Sequence, residues 1–310
     1  MTQLAYATNS RTIKKKIIKH WQLYLVIAPA IVYIITFAYV PMYGVQIAFK
    51  DFLINKGMIR SPWVGLKYFK FFFGSPNFGR LIKNTLSLSV YSIIAGFPFP
   101  ILLAIALNEA GSRIYKKTVQ MITYAPYFIS TVIFVSIIFQ VLDMRDGIIN
   151  TLIRLFGGET VNFMGSPGWF SSIYVWSGIW QATGYQAIIY LAALAGIDPT
   201  LHEAAIVDGA TKIQRILRID IPGITPVIVI MLILQSGQIM NVGFEKIFLM
   251  QNPLNLRASE VIATFVYKVG LISGNYSYST AVGLFNSVIN MFLLIIVNAV
   301  ARRVGEHSLW

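Results

Sequence analysis

Cysteine is absent from the 310-residue sequence, and charged residues are scarce. Without cysteine, this sequence can form no disulfide, no thiolate nucleophile and no cysteine-ligated zinc site. Charged residues make up 12% of it, whereas a soluble domain usually contains about 25%. So few charges cannot coat a water-facing surface, and we therefore expect lipid to cover much of the protein.

Acidic residues are fewer than basic ones, 12 against 25, so the net charge is +13. An excess of this kind occurs in nucleic-acid-binding proteins. Basic loops that flank membrane spans and meet anionic lipid produce the same excess. We expect membrane lipid, and no nucleic acid, as a partner.

Six apolar segments contain no Asp, Glu, Lys or Arg: residues 22–49, 84–108, 118–142, 170–196, 222–243 and 279–301. Each is long enough for a helix to cross a hydrocarbon core of about 30 Å. The segments are continuous rather than alternating, which favours helices over barrel strands. The sequence therefore predicts an all-α integral membrane protein with six transmembrane helices, and prolines such as Pro126 predict kinks within them.

Charge alone barely decides the orientation in the membrane. With a cytoplasmic N-terminus, inside segments hold 13 Lys and Arg and outside segments hold 12. The basic segment 1–21 abuts the first span, 22–49, and favours a cytoplasmic N-terminus. We interpret that span as a retained helix, because its apolar run is too long for a signal peptide. Loop 50–83 mixes lysines with aromatic residues, so we expect an extracellular loop partly in the headgroup layer.

A motif between the fourth and fifth spans, residues 198–222, has clear helix boundaries. Asp198 can cap a helix, and Pro199 suits its first position. Gly209 suits the left-handed break after that helix. A second short helix should follow, and Pro222 should end it before the next span. The pattern predicts two short helices joined by a bend.

This stretch resembles the EAA loop of ABC importer permeases, and the matching residues are Glu203, Ala204, Ala205, Gly209, Ile219 and Pro222. The resemblance implies a type I ABC importer permease fold whose cytoplasmic EAA loop docks on an ATPase. Residues 199–208 would form the coupling helix, with Asp208 among the coupling residues. ATP and Mg would then bind the partner ATPase, and this chain would be a transport subunit rather than an enzyme.

Three further stretches, residues 61–69, 243–248 and 274–285, resemble the LplB-like polysaccharide and oligosaccharide branch of these permeases. Tyr68 replaces the asparagine usual in the first of them. The resemblance implies a second, non-identical permease subunit, an ATPase dimer and an extracellular solute-binding protein, either lipid-anchored or periplasmic. It also implies a five-helix permease core at 84–301 and a cytoplasmic C-terminal tail at 302–310 in the cell membrane.

Two apparent catalytic motifs lack the residues that their chemistry needs. Residues 74–81 have Walker A spacing, but Arg80 and Leu81 stand where lysine and a hydroxyl belong. His202 and Glu203 begin a zincin-like H-E-x-x-H, yet Ile206 replaces the second histidine. We expect no catalytic residue, metal site or cofactor on this chain.

Aromatic and amide side chains in the predicted spans suit a sugar, whose C–H faces stack on rings and whose hydroxyls bond to amides. The candidates are Tyr127, Trp176, Trp180, Gln181, Tyr185, Gln235, Gln238 and Asn241. Amides also hold membrane helices together, and tryptophan marks the membrane interface, so both interpretations stay open.

The sequence thus predicts a permease subunit of an ATP-driven ABC importer for oligosaccharides or polysaccharide fragments. An ABC permease for another solute, such as a peptide, is the alternative. An ion-coupled carrier or channel is disfavoured, because the spans lack the acids and bases that such proteins use. The sequence leaves open which oligosaccharide is carried and whether it is anionic.

Overall fold

The computed structural model describes residues 19–304, and these divide into two units, the first ending at Leu66 and the second beginning at Lys67. The predicted terminal segments 1–21 and 302–310 lie mostly outside the described residues. The described part is helical, and its only β feature is an isolated antiparallel bridge between Lys50 and Trp63. The prediction of an all-α chain is confirmed for this part.

The first unit is dominated by one apolar helical run, Trp21–Phe49. It begins as α1, Trp21–Ile34, continues through a π-turn at Ile35–Tyr39 and α2, Val40–Met42, and ends in a 3-10 turn, Tyr43–Phe49. A short helix, α3, follows at Gly57–Arg60. No side chain of α1 is buried within the chain, as expected for a helix that faces lipid.

The second unit contains the remaining helices. They are α4 Lys67–Phe73, α5 Asn77–Gly96, α6 Pro98–Glu109, α7 Arg113–Tyr124, α8 Thr131–Val141, α9 Ile148–Leu155, α10 Pro167–Leu194, α11 Pro199–Val207, α12 Lys212–Arg215, α13 Ile221–Ser236, α14 Phe244–Met250, α15 Leu256–Ser259, α16 Ile262–Tyr267 and α17 Tyr276–Val304. Helix α10 packs against α5, α6, α7 and α13, so it forms the centre of this unit.

Among residues 19–304, four helical runs are long and apolar enough to cross a membrane: Trp21–Phe49, Asn77–Glu109, Lys212–Ser236 and Tyr276–Val300. They correspond to the first, second, fifth and sixth predicted spans. The number rises to five if the bent pair Arg113–Phe128 and Thr131–Val141 counts as one span. Helix α10 covers the fourth predicted segment as one 28-residue helix. Six spans therefore remain a prediction.

The third predicted span, 118–142, is not one straight helix. Its two halves meet at an angle of 101°. Pro126 lies in the 3-10 turn that ends the first half, and proline donates no backbone hydrogen bond. The Ser130 hydroxyl then caps a new helix by accepting from the Ile133 N–H. These two local signals explain where the chain breaks.

The helix observed in place of the fifth predicted span, 222–243, differs from the prediction at both ends. Pro222 does not end a separate short helix, because Lys212–Ser236 is one continuous helical run. A π-turn at Ile216–Asp220 precedes Pro222 and places it in the first turn of α13, where a missing N–H is tolerated. The helix ends at Ser236, residues 237–240 form turns and residues 241–243 have no regular structure, so the helix does not extend to 243.

Loop 50–83 is partly helical. One of its aromatic residues does not lie where a headgroup-facing side chain was predicted. Phe72 in α4 is fully buried among the rings of Phe78, Tyr278 and Phe285. Its environment is therefore protein instead of lipid.

Candidate substrate cavity and EAA loop

A cavity of about 400 Å³ lies in the second unit between α5, α10 and the chain from Gln235 to Lys246. We call it the central cavity. Four predicted pathway residues line it, namely Gln181, Gln235, Gln238 and Asn241. On α10, Tyr174, Gly178, Ala182 and Gln186 share the wall because a spacing of four residues repeats on one helix face.

The amide side chains of the central cavity are largely free to bind a solute. Gln181 donates weakly to the Ile129 carbonyl, at 3.4 Å. In the part of the chain that the structure describes, the side-chain amides of Gln186, Gln235 and Gln238 form no hydrogen bond. Each amide offers two donor hydrogens and an acceptor oxygen. The wall can therefore bind several hydroxyl groups at once.

Lys246 was missed as a candidate by the sequence analysis. It lies in the first turn of α14, half-buried, and lines the central cavity. Its Nζ donates to the backbone carbonyl of Tyr174 at 2.9 Å. The same atom lies 4.8 Å from the centre of the Tyr174 ring and 5.1 Å from the centre of the Phe134 ring. Burial lowers the pKa of Lys246 to about 7. Its place three residues after the predicted fifth span was the available sequence signal.

The four predicted aromatic residues lie outside the wall of the central cavity. Tyr127 stacks on Tyr185 with ring centres 3.8 Å apart. Trp176 donates through Nε1 to the Tyr91 hydroxyl at 3.0 Å, and Trp180 stacks on the Phe134 ring. Tyr127, Trp176, Trp180 and Tyr185 are all exposed in this chain. Their role in a sugar pathway remains a prediction.

The EAA loop, residues 198–222, begins with the predicted cap. The Asp198 carboxylate accepts from the Thr200 N–H at 3.0 Å, which is the N-cap contact of α11. Gly209 has φ +74°, the left-handed conformation expected after the helix. The N–H groups of Gly209 and Ala210 donate back to the carbonyls of Ile206 and Ala205. Helix α11 therefore begins at Pro199, as predicted, and ends at Val207, one residue before the predicted end at 208.

Helix α11 presents its side chains outward. None of its residues is buried in this chain, and Leu201, Ile206 and Val207 are exposed apolar residues, Val207 at 87%. Glu203 and Ala204 are exposed, and Ala205 is half-buried. Apolar side chains exposed on a short polar loop are typical of a protein contact.

A hollow of about 350 Å³ adjoins α11. Its wall includes four of the predicted coupling residues, Ala205, Asp208, Gly209 and Ile219. Pro222 is exposed and lies outside this wall.

One side-chain contact joins α11 to the π-turn before α13. His202 Nε2 lies 3.2 Å from Oδ1 of Asp220, whose side chain is 1% exposed. A buried carboxylate is costly without a partner, and this contact links α11 to the π-turn before α13. Displacement of α11 would therefore act directly on α13. Among residues 19–304, no three side chains group as metal ligands.

Comparison with known proteins shows to which family the chain is related. Residues 96–306 match the family described as binding-protein-dependent transport system inner membrane component. The chain is 43% identical to the polygalacturonan/rhamnogalacturonan transport system permease protein YteP of Bacillus subtilis (strain 168), over 95% of this chain and 92% of that protein. It is 42% identical to protein LplB of the same organism, over 93% and 91%.

Two solved structures of a sugar ABC transporter also resemble this chain. One is a bacterial ABC transporter involved in the import of the acidic polysaccharide alginate, with TM-score 0.88 and 41% identity over 94% of this chain and 99% of that one. Another shows the alginate transporter in complex with an alginate pentasaccharide-bound periplasmic protein, with TM-score 0.88 and 40% identity over 95% and 99%. The chain therefore belongs to the family of binding-protein-dependent transport system inner membrane components, as a membrane permease of a sugar ABC importer.

Proposed function

We propose that this permease passes an oligosaccharide through the central cavity, and that an ATPase bound to α11 drives the movement. The free amides of the cavity wall are the observation that carries the first half of the proposal. A volume of about 400 Å³ lies within the range of about 300–1,000 Å³ that is typical of small-molecule sites. The named substrates of the relatives, polygalacturonan, rhamnogalacturonan and alginate, favour a polysaccharide fragment.

Transport would use the amides in the manner of a weak, multi-point binding site. Each neutral hydrogen bond contributes only about 0.5–1.5 kcal/mol in net terms. Several such contacts hold a sugar long enough for the transporter to change shape, and none holds it too tightly for release. The aromatic residues Tyr127, Trp176, Trp180 and Tyr185 would stack on sugar rings where the cavity continues.

Coupling would start at the exposed apolar face of α11. An ATPase dimer that carries ATP and Mg would bind Leu201, Ile206 and Val207 and the adjoining hollow. Its closure would move α11, and the contact between His202 and Asp220 would pass that motion to α13. Because Gln235 ends the same helical run, the cavity wall would shift with it, which is a route to alternating access.

Assembly would require chains beyond this one. We propose a second, non-identical permease subunit against the exposed apolar helices, and a solute-binding protein on the outer face, consistent with the periplasmic protein in the related alginate complex. Both termini and the EAA loop would then lie in the cytoplasm. The bent pair α7 and α8 and the helix α10 would complete six spans.

The test is uptake by the complete transporter in proteoliposomes. A labelled oligosaccharide panel should enter only with ATP, and Glu203→Arg should abolish uptake, because it reverses a charge on the surface proposed to bind the ATPase. Glu159→Arg reverses an equally exposed charge outside the EAA loop and should leave uptake unchanged. Uptake that persists without the ATPase, or a preference for peptides over every sugar, would contradict the proposal.

A further inference from the structure

Among residues 19–304, the wall of the central cavity contains one cationic side chain and no acidic one. Its other polar groups are the hydroxyls of serine, threonine and tyrosine and the amides of glutamine and asparagine. Lys246 is the sole charged residue of the wall. Its neighbour Glu245 is exposed and lies outside the wall. When Lys246 is protonated, the net charge that a solute meets in this part of the cavity is therefore positive.

Lys246 has no protein carboxylate as a partner. Of the acidic residues in the described part of the second unit, Glu260 pairs with Arg80 and Lys268, and Asp220 pairs with His202. None pairs with Lys246. A half-buried cation is costly when it is unpaired, and contacts with two aromatic faces offset this cost only in part.

The position of the ammonium leaves hydrogens for a ligand. A lysine ammonium has three donor hydrogens, and Lys246 uses one for the Tyr174 carbonyl. Gly178 keeps the space beside it open, because a Cβ at that position would lie 3.3 Å from Lys246 Nζ. The other donor hydrogens of Lys246 have no protein acceptor in the part of the chain that the structure describes.

We propose that Lys246 binds a carboxylate of the substrate, so that the permease selects oligosaccharides that contain uronic acid units. This inference rests on the proposed sugar pathway through the central cavity. A charge-assisted hydrogen bond to a carboxylate is about twice as strong as a neutral one, so one such contact separates an acidic sugar from its neutral counterpart. The surrounding amides bind the hydroxyl groups that both share.

The test compares two matched probes in proteoliposomes that contain the complete transporter. Galacturonate and mannuronate trisaccharides are the acidic probes, and the same trisaccharides with each carboxyl group reduced to an alcohol are the neutral ones. The wild type should import an acidic trisaccharide with a kcat/KM about tenfold or more above that of its neutral counterpart. This ratio needs no variant, so it remains informative even if a substitution prevents folding.

Lys246→Met should remove most of this preference, because it lowers uptake of the acidic probe and leaves the neutral one within about twofold. Lys246→Arg keeps the charge and should retain the preference. Lys117→Met, which removes an exposed lysine of α7 outside the cavity, should change neither probe.

Equal uptake of the acidic and neutral probes by the wild type would overturn the inference. So would an equal fall of both probes in Lys246→Met, because Lys246 would then only hold α14 against α10. In either case oligosaccharide import itself would stand. The proposed function fails instead if the wild type imports no oligosaccharide of the panel.

Discussion

The EAA loop and the central cavity belong to the same unit of the protein, yet different kinds of contact build them. Local contacts shape the loop: the Asp198 cap and the Gly209 turn each join residues within a few positions. Distant segments build the cavity, since α5, α10 and the chain after α13 must come together before Gln181 faces Gln235. A change in the loop should therefore affect transport of every substrate, whereas a change in the cavity should affect the choice among substrates.

The largest effect should come from the backbone of the EAA loop. Gly209→Pro should abolish uptake of all sugars, because proline cannot adopt the φ of +74° found there and loses the N–H that bonds to Ile206. Gly157→Pro is the matched control. Gly157 has φ +79°, and its N–H bonds to Arg154, so the local damage is the same in a loop outside the coupling region.

Proteoliposome uptake, with each variant's assembly checked by copurification of the transporter subunits, measures this difference. Loss of uptake in both variants would show that backbone damage of this kind is harmful anywhere. Normal uptake by both variants would contradict a coupling role for the EAA loop.

A smaller effect should come from one amide of the cavity. Gln235→Met keeps the size of the side chain and removes the hydrogen bonds that the amide is proposed to form with a sugar, so kcat/KM should fall about three- to tenfold for acidic and neutral sugars alike. Gln140→Met, on the exposed face of α8 outside the cavity, should leave uptake unchanged. Equal effects of the two substitutions would contradict the assignment of the cavity as the sugar pathway.

The smallest effect should be the dependence of acidic-sugar uptake on pH. Burial lowers the pKa of Lys246 to about 7, so the side chain is charged below that pH and neutral above it. The only other titratable group of the wall is the Tyr174 phenol, and such a group stays neutral in this range. The preference for an acidic over a neutral trisaccharide should therefore fall as the pH rises from about 6 to about 8.

Lys246→Arg separates this effect from other causes, because a guanidinium stays charged over the same range. Its preference should not change with pH, measured as the ratio of initial uptake rates. A fall of equal size in wild type and Lys246→Arg would assign the pH dependence to another group.

The parts that the sequence predicted correctly are those governed by near neighbours. Asp198, Pro199 and Gly209 have meanings that depend on a few adjacent residues, and α11 begins as they predict and ends one residue before the predicted end. The four long apolar runs were predictable because exclusion of charge from lipid acts on each segment separately. The bend near Pro126 had a local signal, but its angle of 101° depends on packing against other helices.

The cavity was predictable only in part, because sequence periodicity gives a helix face and not the neighbour of that face. Gln181 and Trp180 are adjacent on α10, and only Gln181 lines the cavity. Lys246 was counted among the charges of an outer segment, because residues 237–243, which return it to the cavity, have no strong sequence signal. A cavity residue that lies after the end of a span can be identified only from the three-dimensional structure.

The central claim is that α11 receives mechanical work from an ATPase on the cytoplasmic face. This sequence contains no cysteine, so Val207→Cys would provide a single thiol in this chain at an exposed position of α11. The measurement is its labelling by a membrane-impermeant thiol reagent in vesicles of known orientation, on a transporter whose other subunits carry no reactive thiol. The account predicts labelling from the cytoplasmic side only, and protection when the ATPase binds. Labelling from the outer side, or a labelling rate that the ATPase does not change, would contradict it.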